Sequence, residues 1–441
     1  MTDEDYSGWA LCTEGDDMNG DGGREILLSR VGRILSGKEH MHEYHLVSLT
    51  GGGSSSLDGV SIATLVIPTK RNRWEAGGVG RADLDIDGDG YSDYLLGAGN
   101  SSSEVGSAGG IYLSLGPASG RVELGSEYLA TSDNIDLGIG TLALIQADGS
   151  GAFVVGAQVS GVTDDSPQAM VFLSMGHFAG EDAVADAPGL WEATGDLVEG
   201  GTVTNTSNLG RDIDGDGIGD LFRTISTTPD SRSSRPSVFL GPFDADRYTD
   251  EADATFEEDS PDGTDEAALT CTSPSGGALL VLTRHGGGLD DTEYPFRHPV
   301  FAWEGAGTYA PGDARTTLLD VADATAFAVA CGGDVDGDGA EELAMHYDGD
   351  ALSTHGIRTF FAMVELPDSG TWQTPDIADY FVAHPTSDNA SVSAPLLGAD
   401  VNGDGTDDLV YASAYDAIED DHEYDLWRSR ILVYHGERPG L

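Results

Sequence analysis

The chain has 441 residues, 77 of them Asp or Glu and 21 Lys or Arg, for a formal net charge of −56 at pH 7. A surface so acidic repels nucleic acid and anionic membranes, which sets aside both as partners. No apolar run approaches the length of a membrane-spanning helix, so direct membrane insertion is not expected.

The 62 glycines and recurrent short apolar runs fit an all-β protein with many tight turns. Length alone allows two or three ordinary domains or one large repetitive one. Three cysteines, Cys12, Cys271 and Cys331, are an odd number and not a disulfide scaffold. Cys271 and Cys331 fall in neighbouring repeats, either as a pair or as small buried thiols. The first five residues are acidic and carry no apolar h-region. The expectation is a chain from which a leader has been removed.

In chain order, the first predicted element of note is a turn with Asp17, Asn19, Asp21 and Glu25 at positions 1, 3, 5 and 9 and Gly23 at position 7. The same turn returns with Asp85, Asp87, Asp89 and Asp93 around Tyr91, and with Asp212, Asp214, Asp216 and Asp220 around Ile218. It returns twice more, with Asp334, Asp336, Asp338 and Glu342 around Ala340, and with Asp400, Asn402, Asp404 and Asp408 around Thr406. This spacing points several oxygens at one centre, which suits a hard cation such as Ca2+, with position 7 supplying a backbone carbonyl. Every copy has Gly at positions 4 and 6, as in Gly88 and Gly90, where the chain must turn sharply. About five Ca2+ ions are therefore expected, and they would cancel only a small part of the net charge.

An EF-hand needs an acidic residue at position 12 and flanking helices. Position 12 is Leu28, Leu96, Arg223, Met345 and Tyr411, and the chain after position 9 is strand-like, as in Leu95-Leu96 and Leu409-Val410.

The first ligands, at 17, 85, 212, 334 and 400, are spaced by 68, 127, 122 and 66 residues. The two double gaps predict a hidden repeat in each. Degraded copies stand there, Asp148-Gly149-Ser150-Gly151 with one acid and Ser273-Pro274-Ser275-Gly276-Gly277 with none, each followed by a strand, and so read as turns without metal. A second run recurs after each turn, from Tyr44–Val47 through Ile111–Ser114 to Leu432–Tyr434. A weaker run follows most of these, as at Tyr128–Thr131 and Ala254–Phe256, and another precedes each turn. Four short strands per unit, repeated radially, make a propeller blade. The fold expected is an all-β, seven-bladed β-propeller of about four strands per blade, forming one domain over 1–441. Its approximate blades are 7–70, 76–135, 137–197, 201–258, 264–322, 324–384 and 388–441. The last blade is expected to hold three strands, or to gain a stub from Asp3 to Tyr6.

On these turns the chain resembles FG-GAP repeat proteins, the family of the integrin α-chain N-terminal propeller. Gly97-Ala98-Gly99 is similar to the Gly-Ala-Pro half of the family signature with Gly in place of Pro, and Gly156-Ala157-Gln158 is a further variant. The Phe-Gly half survives weakly in Leu137-Gly138 and Val79-Gly80. The resemblance implies an extracellular or cell-surface location, where millimolar Ca2+ fills such loops. It implies a non-catalytic binding or adhesion module, monomeric or part of a larger chain. A protein or glycan ligand would sit on the face opposite the metal. An alternative is a secreted hydrolase or lyase acting on phospholipid or polysaccharide.

Loops joining second and third strands on that face contain or flank Arg223, Arg232 and Arg235, and Arg284-His285 with Arg297-His298. They are read either as a ligand surface or as solvated loops. His40, His42 and His45 alternate along a strand, with His40 and His42 on one face, as solvated histidines or a transition-metal pair. No Gly-x-Ser-x-Gly elbow, His-Glu-x-x-His, phosphate loop or CxxC is present.

Overall fold

A computed structural model describes residues 6–14, 24–33, 40–49, 60–69, 79–84, 91, 93–98, 110–114, 117–123, 129–130, 135–145, 151–159, 168–174, 189–192, 211–226, 234–242, 247–248, 251–257, 264–273, 276–285, 297–320, 324–352, 357–378, 380–383, 390–392, 396–416 and 427–436. Among the described residues the fold is all-β, in seven separate sheets with none closed on itself. Helix is confined to short pieces such as α1 (Thr374–Ile377), and no helix is long and apolar enough to cross a membrane.

The first unit of chain holds β1 (Tyr6–Glu14), β2 (Ile26–Arg33), β3 (His40–Val47) and β4 (Ser61–Thr69). The second holds β5 (Val79–Leu84), β6 (Asp93–Ala98), β7 (Gly110–Ser114), β8 (Gly120–Glu123) and β9 (Leu129–Ala130). The third holds β10 (Ile135–Ile145), β11 (Gly151–Val159), β12 (Gln168–Ser174) and β13 (Gly189–Glu192). The fourth holds β14 (Leu221–Ser226), β15 (Ser234–Phe239), β16 (Arg247–Tyr248) and β17 (Ala254–Phe256). The fifth holds β18 (Thr264–Thr272), β19 (Ala278–His285), β20 (Arg297–Ala302), β21 (Gly307–Tyr309) and β22 (Thr316–Leu319). The sixth holds β23 (Ala324–Gly333), β24 (Glu342–Leu352), β25 (Ile357–Glu365), β26 (Gly370–Gln373) and β27 (Tyr380–Ala383). The seventh holds β28 (Ala390–Val392), β29 (Leu396–Ala399), β30 (Asp408–Asp416) and β31 (Trp427–Tyr434).

Within each unit the strands form an antiparallel meander, as in β23-β24-β25-β27. In the seventh, β28 and β29 both pair with β30, so they occupy one edge in succession, and β31 is the last strand. That sheet is three strands wide among the described residues.

The meander is not the whole pattern. Short strands between the third and fourth strands of a unit leave it and pair in parallel with the fourth strand of the unit before. Thus β8 joins β4, β16 joins β13, β21 joins β17 and β26 joins β22. Four units are thereby stitched to their predecessors by backbone hydrogen bonds, and several sheets reach five strands rather than four. Gly120, Gly307 and Gly370 open three of these strands with φ of 67°, 154° and 117°. The two lower values lie where only glycine is at ease, and they set the direction of the returning chain.

Packing follows from strands buried on both faces. Along β24, Leu343, Met345 and Tyr347 enter a core shared with the fifth sheet, and Ala344 enters one shared with the seventh. Residues 343–347 are all buried for that reason, and the strand does not alternate apolar with exposed polar positions there, His346 being buried as well. In the first sheet, Leu27 faces the second sheet, while Ile26 and Leu28 meet Val401 and Val410 of the seventh. First strands also touch in series: β1 with β5, β5 with β10, β18 with β23, β23 with β29, and β29 again with β1.

Cys271 on β18 and Cys331 on β23 form a disulfide, with their Cα atoms 5.6 Å apart. Of the two sequence alternatives, the pair is the one realised. Arg121 on β8 donates to Glu43 on β3 at 2.9 Å, so a returning strand also carries an ion pair into the preceding sheet. Glu43 is buried, and its carboxyl is held at about 2. His45, with Nε2 3.7 Å from Glu43 Oε2, contributes most, and Arg121 adds to it against the opposing effect of burial.

Replacing both paired cysteines by serine is expected to cost about 2–4 kcal/mol, the usual cost of opening a loop of this size. Denaturant melts of the variant and of the reduced protein should agree. The variant Arg121→Met, which leaves the Glu43 carboxylate buried without its cation, should destabilise by about 1–3 kcal/mol. Because the folded carboxyl is lowered from 4.5 to about 2, its contribution is present above pH 4.5 and lost as pH falls through 2. The gap between the two proteins' melting temperatures should therefore narrow on acidification.

Candidate metal centres

The acidic turns lie between the first and second strands of their units: 17–25 between β1 and β2, 85–93 between β5 and β6, 334–342 between β23 and β24, and 400–408 between β29 and β30. The turn at 212–220 leads into β14. Asp17, Asn19, Asp21, Gly23, Asp85, Asp87 and Asp89 lie outside the described residues, as does the side chain of Asp93. Of those two turns Arg24, the fully buried Glu25 and Tyr91 are described with their surroundings.

The other three turns share one hydrogen-bonded frame. The position 1 carboxylate accepts the position 6 N–H: Gly217 to Asp212 at 2.7 Å, Gly339 to Asp334 at 3.0 Å, Gly405 to Asp400 at 2.7 Å. Position 3 accepts the N–H of position 5, and position 5 accepts that of position 7. These are side-chain turns of the kind Asp and Asn make with the backbone two residues on. The position 9 carboxylate accepts the N–H of position 2: Ile213 to Asp220 at 2.7 Å, Val335 to Glu342 at 2.6 Å, Val401 to Asp408 at 2.9 Å. Glycines 4 and 6 have φ from 74° to 96° in all three turns, so the left-handed region is what the repeated Gly-x-Gly supplies.

Position 2 was not singled out from sequence. Ile213, Val335 and Val401 are buried there and anchor the turn in the core. The signal was visible, since all five copies carry an apolar residue at that position: Met18, Ile86, Ile213, Val335 and Val401.

The turns differ in how far their oxygens converge. Asp334, Asp336, Asp338 and Glu342 each place an oxygen within 4.8 Å of the others, and Asp212, Asp214 and Asp216 do the same. Asp220 is turned to the amides of Ile213 and Gly241, and Asp408 to those of Val401 and Gly436, with His435 Nδ1 at 3.3 Å. Among the described residues those two acidic groups are the ones able to hold a metal ion. Their donors are hard oxygens, the choice of a hard cation. Asp334 Oδ1 is buried without a hydrogen-bond partner, a costly state for a carboxylate oxygen unless a cation lies beside it.

Without a cation the frame is under electrostatic load. Burial first, and then the neighbouring Asp336, Asp334 and Asp338, push the Glu342 carboxyl up to about 8. Burial foremost pushes Asp220 up to about 6, and Asp214 and Asp408 are raised for the same leading reason. No protein-family model matches the chain, and no curated protein matches it in sequence.

The sequence-predicted ligand surface is reached only in part. Arg297 is exposed at the start of β20, but His298 is buried with Nε2 2.9 Å from Asp320 Oδ1, which also accepts the Tyr347 hydroxyl. His298 therefore belongs to the core between the fifth and sixth sheets. His45 is likewise buried, near Ser61 and Glu43. The side chains of His40, His42, Arg223, Arg235, Arg284 and His285, and the whole of Arg232, lie outside the described residues.

In metal-free protein the raised Glu342 and Asp220 hold protons that the unfolded chain has lost. Their stabilisation is fully present below about pH 4 and declines as pH rises through about 6 and then about 8. The metal-free melting temperature should fall between pH 5 and pH 8, and saturating Ca2+ should remove most of that fall. The substitution Glu342→Gln should flatten the metal-free slope. An identical slope with and without cation would separate these carboxyls from metal binding.

Proposed function

We propose that the seven sheets are blades of an FG-GAP-type β-propeller, and that its turns bind about five Ca2+ ions. In this reading it serves outside the cell as a non-catalytic binding or adhesion module. The observation that carries the reading is the common frame of the turns at 212, 334 and 400, with the same positions accepting the same amides. Radial closure is supported by the series of first-strand contacts that returns from β29 to β1, and by the shared core of Ile26, Leu28, Val401 and Val410. The Cys271–Cys331 disulfide favours an oxidising compartment, and that is where millimolar Ca2+ is found.

The ions act structurally in this reading. Sites of the extracellular class bind with Kd of about 10⁻⁴–10⁻³ M, so millimolar Ca2+ adds about 0.4–1.4 kcal/mol per site. Five such sites supply about 2–7 kcal/mol, comparable with the whole stability of an ordinary domain. The ligand surface is placed on the loops between second and third strands, opposite the turns, with Arg297 as an exposed contributor.

Chelation with EGTA should lower the melting temperature well beyond scan error, and Ca2+ should restore it. An unchanged melting curve would remove the structural role of calcium. Exchanging the loops 227–233 and 286–296 for short Gly-Ser turns should abolish partner binding at unchanged melting temperature. Loss of binding only in Asp336→Ala or Asp214→Ala would place the ligand at the metal turns instead.

A further inference from the structure

Position 8 of each turn is neither a predicted ligand nor a turn residue, and in three turns it reaches the neighbouring unit. Asp407, position 8 of the turn at 400–408, donates its N–H to the Asp334 carbonyl at 3.2 Å. Its carboxylate accepts the Asp334 N–H at 2.9 Å. The backbone N–H and the side chain of Asp407 therefore both close on the position 1 residue of the preceding turn. Arg24, position 8 of the turn at 17–25, repeats the contact one unit on: its N–H donates to the Asp400 carbonyl at 3.2 Å and its Nη1 to the Gly398 carbonyl at 2.9 Å.

The fifth unit has no acidic turn, and there position 8 spans the gap. Glu341, position 8 of the turn at 334–342, accepts the Thr272 N–H at 2.7 Å in the metal-free turn. The same carboxylate takes Arg211 Nη1 at 2.8 and 2.9 Å. Arg211 immediately precedes Asp212, the position 1 residue of the fourth unit. An ion pair thus stands in the unit where the sequence has dropped the acids. The contacts run from Arg211 to Glu341, from Asp334 to Asp407, and from Asp400 to Arg24.

The backbones at these junctions have no slack. A Cβ on Gly436 would fall 2.4 Å from the Asp407 carbonyl oxygen and 2.6 Å from that of Val335, so both turns close on one glycine. A Cβ on Gly398 would fall 2.5 Å from the Gly332 carbonyl oxygen. A shift of one turn is therefore passed to the next rather than absorbed.

We propose that Arg24, Glu341 and Asp407 couple the turns, so that a divalent cation bound in one raises the affinity of its neighbours. The inference rests on the metal-binding reading of the turns. Position 8 lies between two metal-binding positions, 7 and 9. A cation that fixes these two residues also fixes the groups that position 8 presents to the neighbouring unit. The neighbour then loses less conformational freedom on binding its own ion, and by linkage the effect is mutual.

The test is Ca2+ titration calorimetry on the full chain after chelation, with circular dichroism confirming the fold at saturating Ca2+. Wild type should bind several ions with a Hill coefficient above 1. Asp407→Ala and Glu341→Gln should bind the same number with a coefficient near 1 and a midpoint raised about fivefold or more. If Asp407→Ala fails to fold, Glu341→Gln decides alone, because it keeps an oxygen for the Thr272 N–H and removes only the charge of the part-exposed pair with Arg211. Independent sites in wild type, or variants that titrate as wild type does, would overturn the coupling and leave the metal reading standing. Absence of any binding would overturn both.

Discussion

The carboxylate at position 9 of the turns at 212, 334 and 400 is the contact on which the arrangement depends. Asp220, Glu342 and Asp408 are almost fully buried, and each accepts the amide of position 2. Glu342 and Asp408 are also the first residues of β24 and β30, so one side chain joins the turn to its sheet. A buried carboxylate is costly unless hydrogen bonds or a cation compensate it. The frame supplies the hydrogen bonds, and the raised carboxyls of Glu342 and Asp220 show that these do not compensate the charge completely. The turn is therefore a structural clip, and in the turns at 212 and 334 its acidic side chains could hold a metal ion.

The second constraint is between units. Antiparallel meanders alone would leave their outer strands as open edges, which invite pairing with other chains. Here β8, β16, β21 and β26 return from the following unit and cover the outer strands β4, β13, β17 and β22. Side chains follow the backbone across. Tyr309 on β21 stacks on Phe256 of β17 with ring centroids 4.9 Å apart, and Arg121 on β8 reaches Glu43. The disulfide between β18 and β23 adds a covalent join at first strands. Returning strands at the sheet edges join the first to the second unit and the third to the sixth in succession, and the turns join the sixth, the seventh and the first.

Polar groups inside the sheets follow the same economy of partners. His298, Asp320 and Tyr347 form a buried set in which one carboxylate oxygen serves two donors, between the fifth and sixth sheets. Such a network specifies which sheets may meet more sharply than apolar packing does, because an unpaired member would be costly. It also explains why a histidine beside a candidate ligand loop is not part of the surface.

The sequence by itself determined the all-β class, the seven units, the place of the turns between first and second strands, and the paired glycines. Each is a local matter: a period of two, a Gly-x-Gly at positive φ, and Asp side chains that bond amides two residues on. It left the cysteine pair open, because two positions sixty residues apart can be joined only by the stacking of their sheets. It gave β8, β21 and β26 no weight, since three or four residues such as Gly307-Thr308-Tyr309 have no periodicity to read until a neighbouring edge supplies their hydrogen bonds. It passed over position 8 for the same reason. Arg24 is opposite in charge to Glu341 and Asp407, and only the approach of neighbouring units shows that all three reach across.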